Sequence, residues 1–137
     1  MLFTKECDYG ARIIRHLANG ELKTVSAICD TEKIPIQYSY KIMKKLENAG
    51  LLKSSRGQNG GYQLARPLDM ITLHDIAIAV DENFLIFECV SNNKFCSFHK
   101  SDHPCTVHLE FNRLQNFLVK ELKAKTMQEV LMAGSQP

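Results

Sequence analysis

Residues 89–108, CVSNNKFCSFHKSDHPCTVH, hold three of the chain's five cysteines and three of its five histidines. Thiolate and imidazole are donors suited to zinc and iron, and the stretch has too little apolar material for a packed core. Six residues separate Cys89 from Cys96, eight separate Cys96 from Cys105, and two separate Cys105 from His108. The close C-x-x-C pairs of zinc knuckles and ribbons are absent. Long, irregular spacing suits a loop wrapped around a larger object, such as an iron–sulfur cluster held by thiolates. A zinc site, or direct oxidation of Cys96 or Cys105 as a thiol switch, is the alternative. Cys105 is placed at the start of a helix, where the dipole favours a thiolate or an anionic cluster. His108, one turn on, shares its face and can reach the same metal. Cys7 and Cys29 fall instead on apolar helical positions and are expected in the core.

The elements that must position this segment follow from the rest of the chain. At 137 residues the length suits one domain. No apolar run approaches the ~20 residues of a membrane helix. The start, MLFTKECDYGARIIRHLA, carries charges throughout and does not read as a secretory signal. A cytoplasmic location is expected, where thiols stay reduced, so an odd cysteine count argues against a disulfide framework. Residues 1–66 contain 11 Lys/Arg and 6 Asp/Glu, a balance of +5, while residues 67–137 contain 6 and 9, a balance of −3. Within 33–66 seven basic residues face one acid, Glu47. That asymmetry points to a polyanion partner, with a solvated basic face as the plainer alternative. GxSxG, HExxH and phosphate-loop motifs are absent, so a metal-dependent enzyme is the least favoured reading and no catalytic residue is assigned.

Apolar spacing predicts a first helix from Lys5 towards Asn19, a short second helix capped by Thr24, and a third over Ile34 to Asn48 with Pro35 in its first turn. The third helix is assigned an apolar stripe of Ile36, Tyr40, Met43 and Leu46. Strand-like runs at 51–55 and 62–65 flank a glycine-bearing turn. Two helices, a third helix and a hairpin are the order of a winged helix-turn-helix, so the expected fold is mainly α with a small β-hairpin wing. Residues 1–66 form the DNA-binding region. Residues 67–137 supply a linking helix, the cysteine loop over 89–108 and a long dimerisation helix. Gln37, Tyr38 and Ser39 are placed to meet base edges, and Lys41, Lys44 and Lys45 to meet phosphates. Ser55 and Arg56 stand at the wing tip, where a guanidinium can enter a minor groove. Thr72 with Asp75, and Thr126 with Glu129, form capping boxes. From Thr106 a long helix carries Val107, Phe111, Leu114, Leu118 and Leu122 on one stripe, available for pairing with a second copy into a homodimer.

From Phe3 to Leu131 the chain resembles the Rrf2 family of winged-helix repressors. FTKECDYGARII at the start, the wing GLLKSSRGQNGGYQLARP, the three loop cysteines and the ending TMQEVL carry the resemblance. It implies that Cys89, Cys96 and Cys105 hold a 2Fe–2S or 4Fe–4S cluster. It also implies that a dimer binds a double-stranded operator and represses genes in response to iron–sulfur status, nitric oxide or redox stress. Two candidates for a fourth ligand follow. The Cys105-x-x-His108 pair is similar to IscR-type members, in which that histidine completes the set. Asp8, Tyr9 and Gly10 are similar to NsrR-type members, in which a carboxylate at the matching position comes from the partner subunit. The segment between Cys96 and Cys105 is longer than the family pattern and contains His99 and His103.

Overall fold

The computed structural model describes residues 3–91 and 96–134; residues 92–95, within the cysteine segment, lie outside the described residues. Threonine opens four of the six helices found there. Thr4 caps α1 (Lys5–His16), Thr24 caps α2 (Val25–Glu32), Thr72 caps α4 (Leu73–Val80) and Thr126 caps α6 (Met127–Ala133). In each, the hydroxyl accepts an N–H two or three positions into the first turn, a contact whose loss typically costs ~1 kcal/mol. Both expected capping boxes are formed. The remaining helices, α3 (Ile36–Asn48) and α5 (Thr106–Lys123), begin at Pro35 and Cys105 without a side-chain cap.

Between α3 and α4, strands β1 (Leu52–Ser55) and β2 (Gly61–Leu64) pair antiparallel with Leu52 opposite Leu64 and Ser55 opposite Gly61. The second strand of the hairpin is pinned by a bridge between Lys23 and Tyr62. A Cβ on Gly61 would come within 2.1 Å of the Lys23 carbonyl oxygen. Only glycine lets the wing approach the α2 entry so closely.

The core joins Ile13, Ile14 and Leu17 from α1 and its end to Ile28 of α2 and to Ile42, Met43 and Leu46 of α3. It continues through Ile71, Ile76, Ala77 and Val80 at α4 and reaches Met127 of α6. One core therefore runs across position 67. Gly10 permits the α1–α4 contact, since a Cβ there would meet Ile76 Cγ2 at 3.0 Å. The amide of Met127 donates to the Ile71 carbonyl at 2.6 Å, and Thr72 bridges Thr126. Cys7 and Cys29 are buried.

Helix α5 is packed differently. Its single buried residue is Gln115, while Val107, Leu109 and Phe117 are 55%, 49% and 58% exposed. No helix among the described residues is long and apolar enough to cross a membrane.

Candidate nucleic-acid interface and cysteine segment

The outward face of α3 is set by which residues its core takes. The helix buries Ser39, Ile42, Met43 and Leu46. Ile36 and Tyr40, assigned by sequence to the inner stripe, are 48% and 57% exposed instead. Ser39, expected at base edges, is fully buried, and its hydroxyl donates to the Ile36 carbonyl at 2.7 Å. Lys45, expected at phosphates, turns inward. Its amine meets Glu6 Oε2 at 2.6 Å and donates to the Val80 carbonyl at 2.8 Å. The outward set is Gln37, Tyr38, Tyr40, Lys41 and Lys44, all exposed.

A polar groove of about 560 Å³ separates this face from the wing, lined among others by Ser26, Tyr40, Lys44, Ser55, Arg56 and Tyr62. Glu47 lies in it, and the Ser54 hydroxyl donates to Glu47 Oε1 at 2.6 Å. That bond, aided by Lys44, holds the Glu47 carboxyl below the usual carboxylate range. Burial, reinforced by the charge on Glu47, pushes the Tyr62 phenol up. The groove thus presents an amine, a guanidinium, hydroxyls and phenols around a single ionised acid, which suits a phosphate backbone flanking exposed base edges. Tyr40 and Ser26 were missed in the sequence: the first looked like core, and the second gives no periodic signal.

Helix α5 anchors both ends of the cysteine segment. Gln115 accepts the Ile86 N–H at 2.8 Å and donates to the Phe84 carbonyl at 3.2 Å. Phe87 stacks flat on Phe111, with ring centroids 3.6 Å apart and planes 4° from parallel. Cys89 follows immediately, in a short 3-10 turn over Glu88–Val90. Cys105 is the N-cap of α5, and His108 lies one turn along. The Cys105 N–H donates to His99 Nδ1 at 3.2 Å, and the His99 and His108 rings lie 3.9 Å apart. His108 Nδ1 is buried without a hydrogen-bond partner among the described residues. His103 is solvent-facing beside Asp102. Asp8 is engaged elsewhere, paired with Arg12 at 2.7 Å.

Cys89, Cys96 and Cys105 are free, half-buried thiols. Three thiols and an imidazole nitrogen that lacks a partner are a donor set fitting an iron–sulfur cluster or zinc. No three His, Cys, Asp or Glu side chains among the described residues are grouped closely enough to hold a single metal ion. The structure thus brings Cys105, His99 and His108 together, and does not gather the three thiols.

A family model described as "Rrf2: Iron-dependent Transcriptional regulator" matches residues 3–133. The chain is 29% identical over 139 residues to protein aau3 of Rhizobium meliloti, covering 99% of the chain and 88% of the relative. It is 32% identical over 99 residues to protein rrf2 of Nitratidesulfovibrio vulgaris, covering 70% and 66%. Among solved structures it is similar to CymR, the global cysteine regulator of B. subtilis (TM-score 0.73, 22% identity, 98% of each chain). It is also similar to T. potens IscR (TM-score 0.71, 21% identity, 96% of this chain and 86% of that one). At such identities the two structures show a shared fold.

Proposed function

The chain belongs to the Rrf2 family, and from that premise we propose that it is a dimeric repressor whose operator affinity is set by an iron–sulfur cluster held by Cys89, Cys96 and Cys105. Members of the family are DNA-binding transcription regulators, not enzymes. The finer reading, including the sensing of nitric oxide, redox stress or iron–sulfur status in the cytoplasm, is carried by one observation. Helix α5 holds the chain just before Cys89 through Gln115 and Phe111, and has Cys105 as its own N-cap, so both ends of the thiol-bearing segment are tied to the helix on which Val107, Leu109 and Phe117 are exposed.

In this reading Gln37, Tyr38 and Tyr40 meet base edges, Lys41 and Lys44 meet phosphates, and Ser55 with Arg56 enter from the wing. Ser39 and Lys45 are left out of this set, because Ser39 is buried and the Lys45 amine is bonded to Glu6 and the Val80 carbonyl. A bound cluster supplies a centre that reacts with nitric oxide or oxygen. The chain's own residues supply the connection: a change in the order of the segment bears on α5 through Gln115. Phe84, whose carbonyl Gln115 holds, is in the same core as α4, and α4 in turn is tied to α3 by Lys45. His108 is the fourth donor we favour, on account of its partnerless nitrogen. Asp8 of a partner copy is the rival.

Absorption spectra with iron, sulfide and zinc analysis on protein purified without oxygen test the proposal. A brown protein with matched iron and sulfide, and operator affinity that changes on cluster loss, is expected. The three half-buried free thiols also favour a second reading, zinc or a thiol switch. A colourless zinc protein, or metal-free protein whose operator binding follows thiol oxidation, would replace the cluster by that reading.

A further inference from the structure

His99 touches three of the residues at issue at once. Its backbone N–H donates to the Cys96 carbonyl at 3.1 Å. Its side-chain Nδ1 accepts the Cys105 N–H at 3.2 Å. Its ring stacks on His108 at 3.9 Å with a 33° tilt. We propose that His99 is a positioning residue that holds Cys96, Cys105 and His108 in one arrangement for the iron–sulfur cluster, without being a ligand itself. The inference rests on the functional reading above and deepens it.

The chemistry separates the two histidines. The Cys105 amide stands at a helix start, where N–H groups have no intrahelical carbonyl. By accepting it, His99 Nδ1 must be unprotonated, which puts the ring proton on Nε2. Nδ1 is then occupied and Nε2 carries a proton, so neither is free to bind iron. His108 is the converse: its Nδ1 is buried and has no partner. A buried imidazole nitrogen without a hydrogen bond calls for a ligand or ion. A ring stacked against it fixes the direction in which that nitrogen faces, as the hydrogen-bonded neighbours of metal-binding histidines do. The segment between Cys96 and Cys105 is long, and an unrestrained loop of that length would leave the two thiols uncorrelated. His99 shortens it by bonding to the backbone at both ends.

Two measurements decide this. In metal-free protein, long-range proton–nitrogen NMR should show His99 as the Nε2–H tautomer with Nδ1 accepting; an Nδ1–H or tautomer-averaged His99 overturns the placement whether or not a cluster exists. In anaerobically reconstituted protein, His99→Ala should keep wild-type iron and sulfide, shift the nitrogen hyperfine coupling of the reduced cluster, and bleach several-fold faster in air. His99→Asn, whose amide oxygen can accept the Cys105 N–H, should recover part of the lifetime. An Ala variant equal to wild type in both coupling and lifetime overturns the proposal. So does one that loses as much iron as Cys105→Ala, because His99 would then be a ligand. A wild-type cluster with no strongly coupled nitrogen removes His108 from the ligand set and overturns the role of His99 with it. A wild type that takes up no cluster instead overturns the functional reading, while the tautomer still decides the placement.

Discussion

Lys44 and Lys45 are neighbours with different surroundings. The Lys44 amine is on the exposed face, 3.5 Å from Glu47, whereas that of Lys45 is shared between Glu6 and the last carbonyl of α4. Lys44→Ala should weaken binding to all DNA sequences alike and lower the salt slope by about one unit, with unfolding unchanged. Lys45→Met should do the opposite. It leaves the slope intact and costs about 1–2 kcal/mol of stability in urea titrations, because a charged hydrogen bond and a carbonyl's donor are lost. The same pair has a pH signature. The bond from Lys45, aided by Lys41 and opposed by burial, holds the Glu6 carboxyl below the usual carboxylate range. A depressed acid binds fewer protons folded than unfolded. Its stabilisation is therefore complete above the ordinary glutamate value of about 4.3 and is lost as pH falls through the lowered one. Unfolding free energies measured between neutral and acid pH should show a shallower acid loss in Lys45→Met than in wild type. Equal slopes would remove Glu6 from the account.

Among the elements, α5 and the wing show what single residues hold. Gln115 gives both amide groups to backbone atoms of the segment before Cys89, so Gln115→Leu would strand the Ile86 N–H and the Phe84 carbonyl. A cost of about 1–3 kcal/mol is expected, read as a lower urea midpoint at constant m-value. Helix starts, the hairpin and the long α5 were legible in the sequence because threonine caps, glycine turns and apolar spacing act locally. The inner face of α3 was not. Ile36 and Tyr40 count as apolar in any periodicity, yet both side chains stay outside, and Ser39 takes the inward position by bonding to its own helix. The inward turn of Lys45 was not legible for a related reason: its partners are 39 and 35 residues away in the chain. Gln115 carries no signal at all, since a glutamine between Leu114 and Phe117 reads as surface until the chain before Cys89 is laid across it.

At the scale of the molecule, the exposed Val107, Leu109 and Phe117 leave α5 with more apolar surface than a lone copy covers. Phe117→Asp should shift the protein from dimer to monomer in sedimentation and weaken binding to a two-half-site operator far more than to a single half-site. A variant that stays dimeric would place the interface elsewhere. The clasp at the other end of the chain has a consequence for timing. The residues proposed to read DNA lie in the first half, but the core beneath them is completed by Met127, bonded to Ile71 and 2% exposed. During synthesis α3 therefore emerges long before the structure that holds it can shut. A copy cut short ahead of α6 carries every proposed DNA contact and lacks a closed core, so unfinished chains should make poor competitors for the operator.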